Sequence, residues 1–152
     1  MLWDNILDES NLIQFTKERT MSFKWIDHVV IAVKDMDQAL STYRDKLGLK
    51  LLSTNNAPAL GIKQAHLDLG DGRFIELAEP LGPETPVGRS IERRGEGIHI
   101  LAMAVENMEA AKAEYESKGI QLITDDTPGG GQVFLHPRST NGVLIQLIER
   151  PS

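Results

Sequence analysis

One stretch of pattern occurs twice in this chain, and the repeat limits what it can fold into more than any other feature. Ile26-Asp27-His28-Val29-Val30-Ile31-Ala32-Val33 is followed by Asp35-Met36, Ala39 and Tyr43, and Ile98-His99-Ile100-Leu101-Ala102-Met103-Ala104-Val105 is followed by Asn107-Met108, Ala111 and Tyr115. Ile26 to Ile98 and Tyr43 to Tyr115 share an offset of 72 residues, the mark of a duplicated module. Gly72-Arg73-Phe74-Ile75-Glu76-Leu77 and Gly142-Val143-Leu144-Ile145-Gln146-Leu147 extend the correspondence. At the offset of 72 His28 corresponds to Ile100, and in the second pair, offset by 70 residues, Glu76 corresponds to Gln146. The first half offers an imidazole and a carboxylate where the second offers an aliphatic branch and a neutral amide.

A module of about sixty residues is marginal by itself, so the 152 residues are read as one domain assembled from two halves. Residues 25–33 are β-branched and apolar with short-range alternation, as in a strand buried on one face. Asp35 then caps a helix running to about Lys46, with Met36, Ala39, Leu40 and Tyr43 at helical steps and Gly48 as its stop. Residues 49–54, 63–69 and 74–78 read as strands, the last two joined by the hairpin signal Gly70-Asp71-Gly72. The second half repeats the order: a strand at 98–105, a helix from Asn107 to Lys118, Gly119 as its stop, and strands near 120–124, 132–136 and 143–149. The expected class is α+β: two tandem βαβββ modules, at about 24–80 and 97–150, form a curled mixed sheet around a cleft with helices outside. Residues 81–96 form the linker, with a short helical stretch at 87–94. Residues 1–23 form an extension in which Ser10 or Asn11 can cap a short helix.

Strand parity divides the side chains between helix and cleft. Val29, Ile31 and Val33 fall under the first helix. Ile26, His28 and Val30 face the cleft, as do Gln64, His66 and Asp68 and, from the next strand, Phe74, Glu76 and Ala78. The second half contributes Ile100, Ala102, Ala104, Phe134, His136, Leu144 and Gln146. By the same rule His99 lies on the opposite side.

The net charge is −6 and the basic residues are scattered apart from Arg93-Arg94, which argues against nucleic acid or an anionic membrane as partner. Absence of cysteine excludes disulfides, thiolate metal sites and a cysteine nucleophile. No apolar run approaches the ~18 residues of a membrane span. The first residues lack a secretory pattern, so a cytoplasmic protein is expected.

Three segments carry a family resemblance: Ile26-Asp27-His28; Thr85-Pro86-Val87-Gly88-Arg89-Ser90-Ile91-Glu92-Arg93-Arg94-Gly95-Glu96-Gly97-Ile98-His99; and Phe134-Leu135-His136-Pro137-Arg138-Ser139-Thr140-Asn141-Gly142-Val143-Leu144-Ile145-Gln146-Leu147. Together they resemble the methylmalonyl-CoA epimerase branch of the vicinal oxygen chelate superfamily, which includes glyoxalase I, extradiol dioxygenases and bleomycin-resistance proteins. The resemblance implies a paired βαβββ fold, a homodimer, and a cleft metal bound from four strands. Carried over by position, the ligands fall on His28, Glu76, Ile100 and Gln146. The usual Gly-Ile-His-His-Leu reads Gly97-Ile98-His99-Ile100-Leu101 here, and the usual final glutamate is Gln146. Of the two glutamates that move a proton in the family's epimerases, one falls on Gln146 and the other near Gln64, and an amide is no base at neutral pH.

Isoleucine has no lone pair and a neutral amide binds a divalent ion weakly. The expectation is therefore no tightly bound metal; a Co, Zn or Mn ion, if present, would use His28, Glu76 and Gln146. The expected activity is that of an isomerase or lyase, doing acid–base chemistry beside the carbonyl of a small molecule or acyl thioester. His28, Glu76 and His66 are the candidate proton-transfer groups, with Glu76 orienting His28, and Gln64 and Gln146 are candidate neutral donors to a carbonyl or enolate oxygen. Phe74, Ile100, Phe134, His136, Leu144 and Arg93 are candidate substrate contacts. Three alternatives stay open. One is a metal-free binding protein of the bleomycin-resistance type. The others keep a metal, through His28, Glu76 and His66 with water, or through a His99 turned inward by a β-bulge.

Overall fold

A computed structural model describes residues 23–125 and 131–152; the expected N-terminal helix and most of the glycine run at 129–131 lie outside them. The strands are β1 (Ile26–Ala32), β2 (Leu51–Ala57), β3 (Ile62–Gly70), β4 (Arg73–Pro80), β5 (Gly97–Val105), β6 (Leu122–Thr124), β7 (Val133–Leu135) and β8 (Ile145–Glu149). The helices are α1 (Met36–Leu40), α2 (Pro86–Arg94) and α3 (Met108–Ser117). α1 continues as a wider π turn over Ser41–Lys46, and single 3-10 turns cover Pro58–Leu60 and Pro137–Ser139.

The eight strands form one mixed sheet in the order β2-β3-β4-β1-β5-β8-β7-β6. Each half contributes four neighbours. β1 runs parallel to β4 and β5 parallel to β8, and the halves join where β1 pairs antiparallel with β5. The expected βαβββ duplication is therefore present, with a two-fold relation between the halves.

The helix starts repeat as closely as the strands. Asp35 accepts a hydrogen bond from the Gln38 N–H at 2.9 Å, and Asn107 accepts one from Ala110 at 2.8 Å, each satisfying an otherwise orphaned donor. The carboxylate of Glu79 on β4 accepts from the Met36 N–H, and that of Glu149 on β8 from the Met108 N–H. The first helical turn of each module is thus tied to the fourth strand of the same module. At the β3–β4 hairpin Asp71 has φ 54° and Gly72 φ 74°, the left-handed geometry that its sequence signals.

Two apolar clusters fill the outer face. Met36, Ala39 and Leu40 pack on Ala65, Leu67 and Leu77, while Ala111 and Tyr115 pack on Val133, Leu135 and Leu147. A third lies on the inner face, where Val30, Ala32, Ile62 and Ala78 meet Val87 of α2. The two module helices lie outside as expected, whereas the linker helix packs on the concave side. Thr85 fixes its start by accepting from Gly88 N–H at 3.1 Å.

The central β1–β5 pairing contains two irregularities. Ile26 pairs with Met103 and His28 with Ala102, which leaves Asp27 as an extra residue on β1; Val30 pairs with Ile100 and Ile31 with Ile98, which leaves His99 as an extra residue on β5. Asp27 and His99 are related by the same 72-residue offset, so each module carries one bulge at the same place. A bulge breaks the two-residue alternation and re-aims a side chain.

Candidate active site

The inner face encloses a cleft of about 700 Å³ with walls from both halves. β1 supplies His28 and Val30, β4 Glu76 and Ala78, and β5 His99 and Ile100. Phe134, Leu144 and Gln146 close the second-half side, and Pro86 and Val87 of α2 close one end. The expected cleft residues His28, Glu76, Ile100, Phe134, Leu144 and Gln146 are all brought together here.

His28 is only 8% exposed. Its Nδ1 lies 2.7 Å from Asp27 Oδ2, a contact between chain neighbours that an unbroken strand would place on opposite faces. The bulge at Asp27 permits it. Asp27 in turn accepts from Arg150 at both oxygens, Nε to Oδ1 at 2.7 Å and a terminal guanidinium nitrogen to Oδ2 at 3.2 Å. Burial pushes the Asp27 carboxyl upward, but hydrogen bonds from Arg150 and His28 outweigh it and hold the group below its ordinary value. The ionised carboxylate engages Nδ1 of His28 and leaves Nε2 as the ring nitrogen for the cleft.

Glu76 does not orient His28, as the sequence reading had it; that task falls to Asp27. Glu76 Oε2 instead lies 3.3 Å from Nε2 of His66, without hydrogen-bond alignment, and this buried ring nitrogen has no hydrogen-bond partner among the described residues. Phe74 stands between the two imidazoles. Its ring stacks on His28 at 4.4 Å with 11° between planes and lies 4.6 Å from His66. Phe74 and His66 support the wall and do not line the cavity.

In the second half Ile100 sits where the register places the counterpart of His28, and Gln146 on β8 lies beside Phe134 of β7 and Ala102 of β5. His99 departs from strand parity and takes the orientation of the β-bulge alternative. Its bulge turns it to the cleft side, where Nδ1 lies 3.2 Å from the Ser90 hydroxyl of α2. Desolvation, with lesser contributions from the charges of Arg94 and Arg93, lowers its pKa below 6.5 and favours the neutral imidazole.

Three other expected contacts lie elsewhere. The Gln64 amide donates to Asn55 Oδ1 at 3.2 Å. His136 caps the following 3-10 turn, its Nδ1 accepting from the Arg138 N–H at 3.0 Å. Arg93 is exposed in the last turn of α2. None of these three lines the cavity. The sequence reading missed Asp27 and Arg150 as site residues and held His99 only as an alternative ligand turned inward by a β-bulge; for Asp27 the adjacency Asp27-His28 carried a signal, and its meaning depends on the bulge.

Residues 27–134 match the Glyoxalase/Bleomycin resistance protein/Dioxygenase superfamily, and the chain belongs to it. Within that superfamily it stands with the methylmalonyl-CoA epimerases, as isomerase-type enzymes of the vicinal oxygen chelate fold. It is 32% identical over 127 residues to the mitochondrial methylmalonyl-CoA epimerase of Mus musculus, covering 80% of this chain and 71% of that protein. The crystal structure of methylmalonyl-CoA epimerase from Mycobacterium tuberculosis is 33% identical with a TM-score of 0.75, covering 88% of this chain and 91% of that one. A methylmalonyl-CoA epimerase from Streptomyces coelicolor, in complex with 2-nitronate-propionyl-CoA, is 31% identical with a TM-score of 0.75 and covers 86% of this chain and 100% of that one. The resemblance expected from the sequence is borne out.

Proposed function

We propose that this protein is an acid–base isomerase or lyase that moves the proton on the carbon beside the carbonyl of an acyl thioester, with His28 as the proton acceptor. The observation that carries this reading is the 2.7 Å contact between Asp27 and Nδ1 of a buried, cleft-lining His28. A carboxylate on one ring nitrogen selects the tautomer with a lone pair on the other. The Streptomyces relative, bound to an acyl-CoA analogue, supports the thioester class.

In this scheme Nε2 of His28 takes the α-proton, and the electron pair of the broken C–H bond moves into the thioester carbonyl to give an enolate. The Gln146 amide N–H donates to the enolate oxygen, stabilising charge where it develops. Return of the proton from the His28 imidazolium to the α-carbon regenerates the thioester and completes one round of exchange. Glu76 lies on the same wall, on the strand beside β1, with His66 against its carboxylate, and adds negative charge to the cavity.

The cleft does not fit a tightly held divalent ion. Of the four positions where the family resemblance puts ligands, His28 and Glu76 supply strong donors, Gln146 a weak one and Ile100 none; His99 reaches the cleft but has its Nδ1 against Ser90, and among the described residues no three His, Asp or Glu side chains are grouped to hold an ion. A degenerate metal site is therefore part of the proposal, and no step is assigned to a metal. Wash-in of deuterium at the α-carbon of isobutyryl-CoA in D₂O, followed by NMR, tests the assignment. The wild-type protein should catalyse exchange, and His28→Gln should reduce it by about a hundredfold or more while retaining the native circular dichroism. Undiminished exchange in that variant would refute the role of His28.

A further inference from the structure

We propose that the cleft selects an acyl thioester whose acyl group is uncharged and aliphatic, and disfavours one that carries a free carboxylate. The inference deepens the proton-transfer reading above and rests on it for the thioester class. Among the described residues, no lysine or arginine lines the cavity, and its formally charged side chains are Glu76 and Asp125, both acids. The two imidazoles do not make up the deficit. Nδ1 of His28 already faces the Asp27 carboxylate, and His99 sits in a desolvated position against Ser90.

Apart from the neutral amides of Gln132 and Gln146, the remaining second-half lining is apolar. Ile100 of β5, Phe134 of β7 and Leu144 just before β8 line the same cavity as Val30 and Ile62. A carboxylate placed there would lose its water, find no countercharge and stand in the same cavity as Glu76. Burying an unpaired charge is among the costliest changes a site can impose, whereas a methyl group in that place gains apolar contact. A dication gripped from position 100 would have supplied the missing countercharge, and isoleucine cannot grip one.

Isobutyryl-CoA and methylmalonyl-CoA test this directly, because they differ only by a methyl group in place of a carboxylate on the α-carbon. Calorimetric titration of the full chain should give a Kd for isobutyryl-CoA at least roughly tenfold lower. Equal affinities, or tighter binding of methylmalonyl-CoA, would overturn the selectivity whatever the exchange experiment gives. The isobutyryl-CoA preference without deuterium exchange in either thioester would leave the selectivity standing and overturn the proton-transfer reading instead. Ile100→Lys should narrow or reverse the preference; an unchanged ratio in a folded variant would contradict the argument from the missing countercharge.

Discussion

Asp27 is 2% exposed and is tied to both His28 and Arg150, so one carboxylate couples the candidate base to the C-terminal end of the chain. Asp27→Asn should lower α-proton exchange on the order of a hundredfold and cost about 1–3 kcal/mol of stability by weakening its hydrogen bonds, read from the urea midpoint. The carboxyl is depressed in the folded state, so that state binds fewer protons than the unfolded chain. Its stabilising contribution is complete above the ordinary value of 3.8 and is lost as pH falls through the depressed folded value. His99 acts over a different range. Its folded pKa lies below 6.5, so the unfolded chain takes up the proton first, and stability declines as pH falls below about 6.5. Urea midpoints between pH 7.5 and 5.5 should show that decline in the wild type and a flatter profile in His99→Gln; identical slopes would contradict this assignment.

At the scale of elements, how much was legible in the sequence depends on where the pleat is regular. Between the bulges the alternation of two holds, and parity alone brings His28, Glu76, Ile100 and Gln146 to one face. At Asp27 and His99 one extra residue resets the phase, and neither side chain marks the position as irregular, so parity sends His99 to the wrong side and gives Asp27 no role. His136 illustrates a different limit: its strand parity is cleft-facing, but the Pro137 turn offers a free N–H at Arg138 and the imidazole takes it. The linker helix was foreseen at 87–94, although not its packing on the concave face. That packing is close. A Cβ at Gly88 would lie 2.4 Å from Gly82 O and 2.8 Å from Pro83 O, both backbone atoms. Gly88→Ala should therefore destabilise the protein by about 1–3 kcal/mol. Because α2 carries Pro86 and Val87 of the cleft wall, the variant should also weaken isobutyryl-CoA binding, measured by titration below its unfolding transition.

Across the whole molecule, duplication supplies two equivalent halves and divergence makes them unequal. The outer clusters, helix caps and carboxylate ties repeat, and so does the bulge. The titratable groups do not: His28 and Glu76 lie in one half, with Ile100 and Gln146 at the matching places in the other. Restoring symmetry should restore metal binding. Ile100→His combined with Gln146→Glu supplies four strong donors, and should retain cobalt or zinc near one equivalent after desalting, by elemental analysis.

The most direct measurement is the rate of deuterium exchange into isobutyryl-CoA by one wild-type sample before and after exhaustive chelation, with its metal content quantified at both points. The account predicts that the rate survives when the divalent ion content falls far below one equivalent. Exchange that disappears on chelation and returns in proportion to one added equivalent of cobalt or zinc would contradict it.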